Sequence, residues 1–155
     1  MTGFYQILDS IKNQLNKDAF VNTVTYGNLF DIDLNKQTIF PLSHIMIGSA
    51  NYNSNVYIYN VSVICMDVVD ESKDEVTDIF VGNDNEQDVL HTQEIVARRL
   101  LEMLSRGDLF DDGFQLANNT ANIEYFTDRF ENKIAGVTVT FDVITKNEMS
   151  ICDDC

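Results

Sequence analysis

The sequence predicts an α+β fold: an antiparallel sheet with one very long strand, two helices packed on one face, and a long loop arm. Three observations carry this expectation. Val56–Val69 reads VYIYNVSVICMDVV, without Gly or Pro, and is dense in the β-branched and aromatic side chains that favour the extended chain. Two segments, Gly3–Asn16 and Glu86–Arg106, repeat apolar residues close to the 3.6-residue helical period. The order helix, strands, helix, strands suits an antiparallel sheet flanked by helices.

Along the chain, Thr2 is the expected cap of the first helix, whose stripe is Phe4, Ile7, Leu8, Ile11 and Leu15. Thr23–Tyr26 reads as a short strand ended by Gly27-Asn28, and Asp33–Gln37 as a turn or loop. Pro41 cannot donate to a strand ladder, so it marks the start or an edge of the apolar strand Leu42–Ile47. Gly48–Asn55, rich in Asn, Ser and Gly, reads as a connection.

The long strand then spans about 46 Å at about 3.3 Å per residue. Ordinary strands have about five or six residues, so this one is expected to outrun its own domain. One alternate face carries Tyr57, Tyr59, Val61, Val63 and Cys65; the other carries Val56, Ile58, Asn60, Ser62, Ile64 and Met66.

The second helix has Asp84 or Asn85 as its cap and acids in its first turn, where the helix dipole favours them. Its stripe is Val89, Val96, Leu100 and Leu104, with Ala97, Leu101 and Met103 beside it, and Gln93 interrupts it. Gly107 is a natural stop. Asp108–Asn122 reads as irregular with one strand, Phe114–Ala117; Ile123–Phe126 reads as a strand and Ile134–Gly136 as a connection. Val137–Thr145 alternates as a half-buried strand. Residues 1–145 are thus expected to form one domain, and 146–155 a flexible polar tail.

The 155-residue chain, 45% apolar with ten Phe, is long enough for a core without staples. Its net charge of −15 disfavours binding to nucleic acid or anionic lipid. The acid is concentrated: Asp67, Asp70, Glu71, Asp74, Glu75, Asp78, Asp84, Glu86 and Asp88 stand against Lys73 alone. The plain reading is a solvated loop. The opening MTGFYQILDSIKNQL lacks a basic leader and an apolar run, and no segment approaches a membrane span, which predicts cytosolic synthesis.

Motifs for chemistry are sparse, and no enzyme, cofactor or metal is expected. His44 in an apolar strand and His91 near a helix start lack a neighbouring nucleophile and read as structural. His91-Thr92-Gln93-Glu94 lacks the second histidine of a zinc-protease helix, and there is no phosphate loop or nucleophile elbow. Calcium loops counted from Asp70 or Asn83 fail at the sixth position, where Glu75 and Asp88 replace the required glycine. Cys65 reads as a small buried hydrophobe. Cys152-Asp153-Asp154-Cys155 supplies two of the four ligands zinc wants. It reads as an exposed tail, or as one that docks a partner or shares a metal between subunits.

Taken together, DIDLNKQTIFPLSHIMI (Asp31–Ile47), the long strand, IVARRLLEML (Ile95–Leu104) and YFTDRFENKIAGVTVTFDV (Tyr125–Val143) resemble tail terminator and tail completion proteins of double-stranded DNA bacteriophages, including neck ring proteins of crAss-like phages that infect Bacteroides. The resemblance runs from the first helix to Thr145. It implies a structural virion protein that forms a homo-oligomeric ring at the head–tail junction. Such a ring joins portal or connector to tail and encloses a channel through which DNA passes without specific binding. The implied partners are other neck, portal and tail proteins, with assembly in the host cytoplasm and no membrane. No catalytic residues are carried over, and Ile151–Cys155 lies outside the family pattern. The alternatives are another virion adaptor or baseplate protein, or a small cytosolic enzyme or binding protein. The expected oligomer interface is the outer part of the long strand, Val56, Tyr57, Ile58, Tyr59 and Asn60, with the loop arm that follows, represented by Asp70, Glu71, Asp74, Glu75, Ile79, Phe80 and Val81.

Overall fold

A computed structural model describes residues 3–27, 39–69, 86–127 and 134–146. The fold is mixed α+β. Its order is α1 (Phe4–Asn16), β1 (Thr23–Tyr26), β2 (Leu42–Tyr52), β3 (Val56–Val68), α2 (Glu86–Arg106), a one-turn α3 (Asp108–Asp111), β4 (Gln115–Leu116), a 3-10 turn (Ala117–Asn119), β5 (Asn122–Phe126) and β6 (Ile134–Lys146). The six strands form one sheet ordered β1-β2-β3-β6, with β4 and β5 both on the far side of β6. Every pairing is antiparallel except β1 with β2, so the sheet is mixed where an antiparallel one is expected.

Length is not confined to one strand. β3 has 13 residues, β6 has 13 and β2 has 11. β3 pairs with β6 over its whole length, from Val56 opposite Lys146 to Val68 opposite Ile134. This ladder corrects two sequence expectations. Gly48–Asn55 is mostly strand, because β2 runs on to Tyr52 against Tyr57 after a register shift between Ile47 and Ser49. A bulge of this kind accommodates an extra residue, here Gly48, at the cost of a local kink. Ile134–Gly136 likewise opens β6 rather than connecting to it. Gly136 permits this: an added Cβ would overlap the Cys65 carbonyl oxygen and lie 2.8 Å from Met66 Cα. A glycine inside a strand often marks such a close backbone approach.

The principal core clusters buried residues of both long helices with buried residues of the sheet. Ile7, Ile11 and Leu15 of α1 and Val96, Ala97, Leu100 and Leu104 of α2 cluster with Ile45, Val61, Val63, Cys65, Val137, Val139 and Val143. Burial pushes the Cys65 thiol up to about 12, as suits a small apolar side chain. A second cluster, Phe40, Leu42, Ile64, Met66 and Ile134, holds the even-numbered face at one end. Between that cluster and the hairpin tip this face carries polar cross-strand pairs. Asn60 Nδ2 donates to Asp142 Oδ1 at 3.0 Å, and Ser62 and Thr140 hydroxyls meet at 3.3 Å.

Helix α1 begins at Phe4, and its N-cap is Gly3, whose N–H donates to the Gln6 side chain at 2.9 Å. The expected caps Thr2, Asp84 and Asn85, the Asp33–Gln37 turn, and the tail beyond Lys146 lie outside the described residues. The link from α1 to β1 is tied to α2 by Asp18, which accepts from Arg99 Nη1 at 2.9 Å and from the Phe20 N–H at 3.0 Å. The Arg99 guanidinium also lies 5.2 Å from the Phe20 ring centroid. The region after α2 holds α3, β4 and the 3-10 turn where one strand over Phe114–Ala117 is expected.

Gln93 does not interrupt the α2 stripe; it is buried within it at 1% exposure. Neither its amide oxygen nor its nitrogen has a partner among the described residues. An unpaired buried amide costs about 1–3 kcal/mol. Gln93→Met, of similar shape, is therefore expected to raise unfolding stability by about 1–2 kcal/mol, read as a higher urea midpoint. Gly136→Ala is expected to lower it by about 2–3 kcal/mol through overpacking against β3. An unchanged midpoint for Gly136→Ala would contradict the close approach.

Candidate interaction surface

Beyond Ile45, β2 has no strand partner on its outer edge among the described residues, because β1 covers only Leu42–Ile45. From Gly48 to Asn55 every residue is exposed, and Tyr52 is 77% exposed. From Gln37 to Met66 the chain has no Asp, Glu, Lys or Arg, although its net charge is −15. Proteins commonly blunt an open edge with charge, proline or a cover. The bulge at Gly48 kinks this edge, but no charge protects it.

Of the expected interface residues, the structure places Val56, Tyr57 and Ile58 half-buried at the base of the hairpin tip, with Asn60 half-buried just below. Tyr59 is 4% exposed and belongs to the main core, so its ring is occupied within the subunit. Tyr57 packs edge-on to it, ring centroids 5.0 Å apart at 76°. Asp70, Glu71, Asp74, Glu75, Ile79, Phe80 and Val81 lie outside the described residues. Sequence reasoning missed Gly48–Tyr52, because an Asn- and Ser-rich stretch reads as a turn. The signal available was the absence of charge across it.

His44 sets how much of the β2 edge is covered. It is fully buried on β2, and its Nε2 lies 2.8 Å from the Gly27 carbonyl oxygen, its Nδ1 2.8 Å from Thr25 Oγ1. A carbonyl only accepts, so Nε2 carries the proton; the neutral ring then accepts from the Thr25 hydroxyl at Nδ1. Both bonds clamp β1 to β2. Burial holds the His44 pKa below the ordinary value, against the Gly27 bond that raises it.

The opposite side of the sheet has a different character. There β5 and β4 follow one another along the same edge of β6. On the helix side a groove of about 320 Å³ runs between α2 and this edge, with Leu116 and Ile123 facing Glu94, Arg98 and Ser105. On the other face a groove of about 360 Å³ is lined by Asn60, Asn118, Thr120, Asn122, Thr140 and Asp142. Tyr125 hydrogen-bonds Glu94, which raises the phenol pKa. A third groove of about 250 Å³ lies on the outer surface of α2 beside Ile95 and Met103. None of the three includes His44 or His91.

Among the described residues no group of three or more His, Cys, Asp or Glu side chains is placed to hold a metal ion, and no helix is long and apolar enough to cross a membrane. No protein-family model matches the chain, and no curated protein matches it.

The His44 clamp predicts a pH dependence. The folded chain binds a proton at His44 less readily than the unfolded chain, so its contribution is fully present above pH ~6.5 and is lost as pH falls below that. Between pH 7 and 5 the wild type is expected to lose more melting temperature than His44→Gln, which cannot titrate there. Asp67, raised chiefly by burial, acts in the opposite sense but is common to both proteins. Parallel melting curves across this range would remove His44 as the cause.

Proposed function

We propose that this chain is a structural subunit of a bacteriophage head–tail junction, a neck or tail-terminator ring protein rather than an enzyme. The carrying observation is the exposed, charge-free outer half of β2 in a strongly acidic chain. Interfaces are depleted of charge at their centres, and an open edge satisfies its backbone groups by pairing with another strand. The sequence resemblance to tail terminator and tail completion proteins supplies the place of assembly. In this reading both helices cover one face of the sheet, supported by their shared core with the odd-numbered strand residues. Residues 70–81 lie outside the described residues; the resemblance assigns them to contact with a neighbour.

The acid has a role in the same reading. The stretch Asp67–Asp88 carries nine acids and one Lys, and negative charge around a channel lets DNA slide without adhering. A position elsewhere in the particle, as portal adaptor or baseplate piece, would use the same edge with a different symmetry.

Two experiments test this. Ile58, half-buried on the even-numbered face of β3, is changed to Lys. The variant is expected to stay folded by circular dichroism yet fail to complete infectious particles. Normal plaque-forming particles carrying it would count against this surface. Neutralising Asp70, Glu71, Asp74 and Glu75 together is expected to slow genome ejection, and an unchanged ejection rate would sink the channel role.

A further inference from the structure

The two sides of the sheet complement one another. One offers a donor strand: the outer half of β2, exposed from Gly48 and free of charge. The other offers an acceptor: the β5 edge, with a groove on each face. Strand addition uses this layout, because successive side chains of an added strand fall alternately on the two faces.

Strand direction favours the match. β2, β3, β6 and β5 alternate, each antiparallel to the next. The outer half of β2 is level with β4, since Asn51 lies level with Ile144 and Glu124 with Thr138. A second copy in the same orientation, displaced along the strands by those six residues, therefore brings the outer half of its β2 antiparallel to β5, with its helices on the same side. The side chains also correspond. By register with β3, Ala50 and Tyr52 lie on the helix-bearing face, while Ser49 and Asn51 lie on the other. Tyr52 has a ring for Leu116 and Ile123, and a hydroxyl for the polar groups of the α2 groove. Ser49 and Asn51 suit the opposite groove of Asn, Thr and Asp side chains.

We propose that the outer half of β2 from one copy adds antiparallel to the β5 edge of the next copy, seating Tyr52 in the α2 groove. The contact is head-to-tail, so it repeats from copy to copy and makes a ring when the rotation between copies closes. It rests on the ring reading above and names the surfaces that make the ring.

The test uses the full chain with Cys152 and Cys155 changed to Ser; Cys65 is buried. Asn51→Cys and Glu124→Cys, both exposed and both on the even-numbered face, are made in separate proteins. They are treated with a short bismaleimide, singly and mixed. The mixture is expected to give at least tenfold more covalent dimer than either protein alone. Equal cross-linking by Asn51→Cys alone would overturn the proposal in favour of β2–β2 pairing. Rings visible by native mass spectrometry without a mixed dimer would overturn this contact and leave the ring reading standing. Absence of both dimer and oligomer at every concentration would overturn the two together. Tyr52→Ala is expected to stay folded and to lose at least tenfold in assembly; unchanged assembly would remove the Tyr52 seat.

Discussion

The ladder between β3 and β6 is the constraint on which the rest of the structure depends. It runs without a break over thirteen residues of each strand. Because side chains alternate, this single register puts Tyr59, Val61, Val63 and Cys65 on the same face as Val137, Val139, Phe141 and Val143. A slip of one residue would send the apolar set of either strand to the other face. Gly136 guards the register at one end, where the β3 backbone comes too close for any side chain. At the other end the same ladder runs to Val56 opposite Lys146, where burial declines and the β2–β3 tip is exposed.

The two faces divide the work. On one, the odd-numbered residues from Tyr59 to Cys65 of β3 and from Val137 to Val143 of β6 are apolar and cluster with residues of α1 and α2. The other is apolar only near Leu42, Met66 and Ile134, and then passes into Asn60–Asp142 and Ser62–Thr140 pairs. Cross-strand pairs of this kind contribute a few tenths of a kcal/mol up to about 1 kcal/mol each, so they specify register more than they add stability. Two buried polar groups show opposite solutions. His44 is satisfied at both nitrogens and fixes β1, whereas Gln93 is satisfied at neither among the described residues. The first is a structural clamp; the second is a local cost that the surrounding α2 packing outweighs.

Much of this was legible in the sequence where a pattern is local. Both long helices fall within a residue of their expected bounds, because the apolar period of Ile7–Leu15 and Val89–Leu104 is unambiguous. The start of β2 after Pro41 and the body of β3 were equally plain. The failures are non-local. Gly48–Tyr52 and Ile134–Gly136 have turn-like or small residues, and only pairing with β3 makes them strand. Gln93 looked like a break in a stripe because its polarity, not its position, was read. The parallel β1 depends on His44 reaching Thr25 and Gly27, a contact no periodicity reveals. Of the candidate surface, the β3 half was legible; the β2 edge and the β5 grooves required the sheet order.

These features favour an assembly role. The chain combines a well-packed body, an extended edge without charge, and an acid-rich segment between β3 and α2. A ring made head-to-tail from such a body would present one complete surface to the proteins above and below it. The most direct measurement is quantitative mass spectrometry of purified virions, with this chain's copy number set against that of the portal. The account predicts a fixed ratio, equal to the portal or half of it, as neck ring or tail terminator respectively. Absence of the chain from the particle would contradict it.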